Sequence, residues 1–235
     1  MDQNVRYFLL RRLHSLLGIF PLGIFLFGHL VTNGQAIMGA EAFEHKVALI
    51  HSLGPALPIV EAVMIFIPLA LHIALGIVIA LTGKSNAGTL KYGRNIAYTL
   101  QRLSGWAALA FILYHVVTLR FLHDMDAVPF SAHLAQLFKN PLWVAVYFLG
   151  SLSVVYHFAN GICTFCMTWG LTVGRTSQLW MARAAVGVGA ALMLLATSSL
   201  IGFIKMDPAE AQRIGEEIHG KHGAVQVETA AAATK

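Results

Sequence analysis

Four histidines stand at positions 29, 72, 115 and 157, separated by 43, 43 and 42 residues, and each lies inside a long apolar stretch. An imidazole in hydrocarbon is a buried polar group that must find a partner, so a ring in each of four successive apolar segments calls for a function. One such histidine is ordinarily explained by a hydrogen bond to a neighbouring helix, but four at a near-constant interval are not. Neutral imidazole is the commonest metal ligand among side chains, and facing helices of a bundle are where cofactors are held. His29, His72, His115 and His157, taken as axial ligands, make two bis-histidine haems.

The elements that carry these residues belong to a membrane. The chain has 235 residues, 57% hydrophobic and 11% charged, where a soluble domain has roughly a quarter of its residues charged. The composition predicts an all-α integral membrane protein. Two cysteines give no disulfide framework, and the net charge of +5 comes mostly from short loops beside the spans, so it informs orientation and does not imply nucleic acid.

Residues 1–205 read as a five-helix transmembrane domain and 206–235 as a polar tail. The spans are expected over about 13–33, 59–81, 103–119, 141–168 and 184–204, the first four forming a haem-binding bundle. Pro21 lies inside the first span, and Pro68 is expected to bend the second one turn before His72. The fifth span lacks histidine, and its Ala185, Gly189 and Ala190 suit close helix contact. Beyond it, Asp207-Pro208 is expected to cap a short surface helix, the rest of the tail being mobile.

Nine of the sixteen lysines and arginines fall in the N-terminal flank and the second and fourth connections, while ten of the eleven acids fall elsewhere. The positive-inside rule then puts the N-terminus in the cytoplasm, and five spans put the C-terminus outside. At a rise of 1.5 Å per residue, His29 and His115 lie about 6 to 8 Å from the outer ends of their spans, whereas His72 and His157 lie about 16 to 25 Å deep. Ligands at matching depth can share one flat macrocycle, so His29 pairs with His115 and His72 with His157. With both axial positions filled by protein, the chemistry is one-electron transfer. Gly28, Gly76 and Gly161, beside or one turn from ligands, are expected to let a ring approach the backbone.

The run R-L-H-S-L-L-G-I-F-P from Arg12 to Pro21, the F-x-x-G-H of Phe25 to His29, the four histidine-bearing spans and the basic connections resemble the single-anchor, two-haem cytochrome b subunit of succinate dehydrogenase and fumarate reductase. The resemblance covers about residues 5–205. It implies a flavoprotein and an iron–sulfur subunit on the cytoplasmic face, exchange of electrons with quinone, typically menaquinone, and the same four histidines as ligands to two haems b. Some fumarate reductases of this type carry a glutamate two residues before the fourth ligand, to pass protons; Val155 stands at that place here.

Other residues fit less specific readings. Cys163 and Cys166 form C-x-x-C, but Met167 follows in place of histidine, so the pair reads as buried thiols. His14, among Arg11, Arg12 and Ser15, could meet haem propionates or a docked partner, or simply be a solvated flank. His45, His51, His123 and His133 are loop histidines. For quinone, the candidates are Glu61, His51 and Glu44 at the outer side, Glu61 standing at the mouth of the second span. Two other classes stay open: the dihaem cytochrome b of a different oxidoreductase, such as a hydrogenase or formate dehydrogenase, and a transporter using intramembrane histidines. A transporter would more often show an internal repeat or intramembrane carboxylates.

Overall fold

A computed structural model describes the backbone of residues 3–83, 88–89, 92–125 and 127–233 and the side chains of 5–83, 88–89, 92–125 and 127–220. Lys84, Lys91 and Asp126 lie outside the described residues. Among those described, all regular structure is helical: α1 (Gln3–Ile19), α2 (Pro21–Gly34), α3 (Ala40–His51), α4 (Leu57–Glu61), α5 (Ile67–Thr82), α6 (Gly93–Val116), α7 (Phe130–Leu137), α8 (Pro141–Thr168), α9 (Arg175–Lys205) and α10 (Pro208–Ala233). Five segments are long and apolar enough to cross a bilayer, Val5–Met38, Gly54–Thr82, Gly93–Phe121, Pro141–Thr168 and Arg175–Lys205. The protein is an all-α integral membrane protein, and large apolar side chains such as Ile24, Phe27, Leu81, Val186 and Leu194 are exposed on these segments, as contact with lipid requires.

Most segments are longer than the apolar runs, because hydropathy marks the hydrocarbon thickness and not the helix end. Arg6, Arg11, Arg94 and Arg102 are good helix formers that extend helices past the apolar stretch. Pro21 starts α2 directly after α1, as its fixed φ favours. Upstream of Pro68 the helix widens into a π-turn over Ala62–Phe66, and a second π-turn, Val117–Phe121, begins two residues after His115. Single π-turns of this kind relieve the register where a ring or ligand intrudes into the helix ladder.

The chain divides into two compact units. One comprises Met1–Gly28, Val60–Tyr114 and Leu149–Leu194. In it α1 packs along α5, and small residues bring α9 onto α8: a Cβ on Gly189 would meet Ala159 Cβ at 3.1 Å. Trp169 Nε1 donates to Ser15 Oγ at 3.2 Å, and the Arg12 guanidinium lies over both Trp169 and Phe8.

The second unit comprises His29–Ile59, His115–Phe148 and Leu195–Lys235. It joins α3, α7 and α10, three segments that the alternation of five spans assigns to one membrane side. Buried Phe203 packs edge-on against Phe43 at 5.0 Å, and Gly202 admits the backbone of Ala36 so closely that a Cβ would stand 2.3 Å from its carbonyl. Lys139 Nζ donates to the carbonyl of Met206 at 3.0 Å, just beyond the C-terminus of α9, where a cation also opposes the helix dipole. Asp207 caps α10 with Oδ1 accepting from the amides of Ala209 and Glu210 at 2.9 and 3.0 Å. The tail's backbone is one long helix, more than the short surface helix expected, because α10 presents residues such as Ala211 and Ile218 to the interior of the unit.

Glu44 holds that helix. Its carboxylate is wholly buried, with Oε1 accepting from the Ser131 amide at 2.8 Å and Oε2 2.9 Å from His219 Nε2. A buried acceptor so placed ties α3, α7 and α10 together, and removing one member leaves an uncompensated polar group that costs about 3 to 5 kcal/mol. Glu44→Ala is therefore expected to release α10, read as faster proteolytic cleavage within 208–220 and a lower Tm. A variant with unaltered cleavage would show that apolar packing alone holds the helix.

Candidate functional site

The first unit brings His72 on α5 and His157 on α8 together, ring centres 6.2 Å apart and planes at 90°. In the second unit His29 on α2 and His115 on α6 are 5.8 Å apart with planes at 87°. These are the two pairs expected from depth in the sequence. An imidazole nitrogen binds a metal at about 2 Å and the ring centre lies roughly 1 Å beyond, so two imidazoles on opposite sides of one iron have centres about 6 Å apart. Both separations meet that requirement.

The nitrogens of the first pair are also assigned. His72 Nδ1 donates to the His14 carbonyl at 2.9 Å, and His157 Nδ1 donates to the Gln101 carbonyl at 3.1 Å. A carbonyl can only accept, so these contacts put the proton on Nδ1 and leave Nε2 as the basic nitrogen available to a metal; in His157 the Gln101 carbonyl at 3.1 Å is nearer to Nδ1 than the Gln101 amide nitrogen at 3.3 Å.

Each of these bonds is returned. His14 Nδ1 donates to the His72 carbonyl at 3.0 Å, and Gln101 Nε2 donates to the His157 carbonyl at 3.0 Å. His14 stacks on His72 with centres 3.9 Å apart and planes at 16°, too close to face it across a metal. Gln101 is itself fixed by Asn160, whose Nδ2 donates to its Oε1 at 2.7 Å. Glycine makes the approach possible: a Cβ on Gly18 would stand 2.7 Å from His72 Cε1, on Gly76 3.0 Å from His14 Cε1, and on Gly105 3.0 Å from His157 Cε1.

Of the glycines expected beside a ring, Gly76 faces His14, Gly161 is 3.8 Å from Gln101 Nε2, and Gly28 meets nothing within 4 Å. Gln101, Gly105 and Gly18 were not singled out by the sequence, and His14 was placed only at the inner surface. Their signal is a repeat of one polar residue followed by glycine four places on: His14/Gly18, His72/Gly76, Gln101/Gly105 and His157/Gly161.

Around the second pair, Tyr147 meets His115 edge-on at 5.8 Å, and Asn33 Nδ2 donates to the His29 carbonyl at 2.8 Å. Val155 is buried, so the fourth span offers no carboxylate at that position. Cys163 and Cys166 are free thiols, the latter buried. His123 and His133 meet ring against ring at 4.4 Å, and burial, then the charge of His123, push His133 below the ordinary imidazole value.

Glu44 and His51 lie on α3, Glu61 at the end of α4 in the other unit. Glu44 is enclosed, both its oxygens being engaged by His219 and Ser131.

Residues 94–197 match the family described as succinate dehydrogenase/fumarate reductase transmembrane subunit. Over 199 residues the chain is 39% identical to the succinate dehydrogenase cytochrome b558 subunit of Bacillus subtilis (strain 168), covering 85% of this chain and 98% of that protein.

Proposed function

Because the chain belongs to the succinate dehydrogenase/fumarate reductase transmembrane subunit family, we propose that it is the membrane anchor of a succinate:quinone or fumarate oxidoreductase, carrying electrons through two haems b between an iron–sulfur subunit and quinone. The observation that carries this reading is the pair of imidazole couples, His72 with His157 and His29 with His115, with centres 6.2 and 5.8 Å apart. Haem held by protein at both axial positions supplies one-electron transfer and no vacant site for oxygen or substrate. His72 and His157 present Nε2 because their Nδ1 protons are directed at carbonyls. The apolar helices around them exclude water, which favours a neutral ring over a charged one.

The isolated complex is expected to hold two low-spin haems b per chain. His72→Ala or His157→Ala removes one spectral component, and His29→Ala or His115→Ala the other. One haem per chain, or His29→Ala and His72→Ala depleting the same component, overturns the assignment.

The iron–sulfur and flavoprotein subunits then dock on the cytoplasmic side with the N-terminus, a reading supported by the acid-free sequence run of Lys84, Lys91, Arg94 and Arg102 together with Arg6, Arg11 and Arg12. Arg94 is exposed there and donates to Gln178. Charge reversal at Lys91 and Arg94 is expected to weaken retention of the soluble subunits in salt-washed membranes. Unchanged retention leaves only the sorting of positive charge during insertion as the cause.

Quinone, of the menaquinone or a related type, is placed beyond the haem of His29 and His115, on the outer side. A second haem there has a use only if quinone reacts past it. Glu61 and His51 remain its candidate proton-handling groups, and enclosed Glu44 does not. His29→Ala enzyme is expected to lose quinone reduction. A normal rate with unchanged inhibitor sensitivity moves the site to the other haem.

A further inference from the structure

We propose that His14 and Gln101 are positioning residues for the two histidines of the first unit, each clasping one ligand so that its tautomer and ring plane are fixed before iron is held. The inference rests on the ligand reading of His72 and His157 and deepens it. It comes from a relation within the unit that repeats. On α1 and α5, His14 and His72 each donate Nδ1 to the other's carbonyl, at 3.0 and 2.9 Å. On α6 and α8, Gln101 donates Nε2 to the His157 carbonyl at 3.0 Å and His157 donates Nδ1 to the Gln101 carbonyl at 3.1 Å.

In both clasps the polar residue sits four places before a glycine. His72 lies over Gly18 and His14 over Gly76, while His157 lies over Gly105 and Gln101 beside Gly161. The contacts pair early positions of one helix with late positions of the other, so each clasp joins two antiparallel helices about a local twofold axis. One partner of each twofold is a ligand. The other, His14 or Gln101, faces no imidazole across a gap of ligand size among the described ring contacts: His14 lies flat on His72, and Gln101 has an amide in place of a ring.

The two partners do separable work. A carbonyl inside a helix already accepts one backbone bond and has a second lone pair for Nδ1–H. That outward bond persists only while the two backbones stay close, and the return bond from His14 or Gln101 holds them there. The His14 ring also walls one face of His72, so rotation about χ2 meets a stacked surface. Together these contacts keep the planes of His72 and His157 at 90°. A bond from Nδ1–H to a carbonyl makes Nε2 a stronger donor, which favours the oxidised metal, so a loosened clasp raises the reduction potential.

The test uses the assembled complex, with haem content, the low-temperature electron paramagnetic resonance of each ferric haem and each midpoint potential as readouts. Near-perpendicular axial planes give a strongly anisotropic low-spin signal, which reports ring rotation directly. His14→Phe keeps a stacking ring but has no Nδ1 donor, and Gln101→Leu keeps the bulk of the side chain without its amide. Both are expected to retain two haems, to shift the signal of the His72/His157 haem and raise its potential, and to leave the other haem's signal in place. His14→Asn, whose Nδ2 stands near the position of Nδ1, is expected to restore the potential.

Unchanged signals and potentials in both His14→Phe and Gln101→Leu, or an equal displacement of both haems, overturn the positioning role. Should either variant fail to assemble, His14→Asn and Gln101→Glu decide the matter, the latter removing the donor with little change of size. His72→Ala separates the two levels of the argument. Loss of one haem in His72→Ala with unaltered signals in the other variants sinks the clasp alone, whereas retention of both haems in His72→Ala sinks the ligand reading itself.

Discussion

An imidazole has two nitrogens, and in hydrocarbon neither can be left to water. This constraint organises the first unit. Each ring must direct one nitrogen at an acceptor and find a use for the other, because an unsatisfied polar group in an apolar medium costs several kcal/mol, on the order of 4 to 8 by transfer to alkane. Backbone carbonyls are the only acceptors present at every level of a membrane helix, and those of His14 and Gln101 receive Nδ1 of His72 and His157. Choosing Nδ1 decides the rest: Nε2 is left basic, in a ring whose centre is 6.2 Å from that of its partner.

Reaching a carbonyl on another helix demands that the helices nearly touch, which glycine permits and alanine does not. The Cβ that Gly18 lacks would fall 2.7 Å from His72 Cε1, inside any ordinary contact. Membrane helices have no hydrophobic effect between them to force such proximity, so close packing and hydrogen bonds must supply it. The clasp therefore serves packing and ligand orientation with one set of atoms. In the second unit a buried carboxylate, Glu44, joins three segments through the Ser131 amide and the His219 ring.

Fold class, the number of spans and the two histidine couples were legible in the sequence because each rests on a strong, local signal. Apolar length reports bilayer thickness, and a histidine amid leucines and valines is conspicuous. What escaped was set by contacts between segments far apart in the chain. Gln101 reads as one more polar residue beside a basic loop, since it is followed by Arg102 and nothing marks its carbonyl as an acceptor. His14 was obscured in the same way by Arg11 and Arg12. The polar-x-x-x-Gly repeat was visible in principle, but glycine is common in membrane helices, and only the pairing of α1 with α5 and of α6 with α8 gives the spacing its meaning. The enclosure of Glu44 was not legible because the helix that covers it begins more than 160 residues later, at Pro208.

The clasps and the imidazole couples differ in what they connect. His14 with His72 joins the first span to the second, and Gln101 with His157 joins the third to the fourth, so each clasp lies within a helical hairpin. The couple His72 and His157 joins the second span to the fourth, and His29 and His115 the first to the third, so each couple crosses between hairpins. Helices inserted singly associate first with their nearest neighbours in the chain, because the loop to be closed is short. The clasps can thus form with protein atoms alone and orient His72 and His157 as hairpins. Were a haem held between His72 and His157, it would tie one hairpin to the other, and its binding free energy would become part of the stability of the bundle. The orientation of His72 and His157 thus rests on contacts among protein atoms, independent of any cofactor the rings would hold.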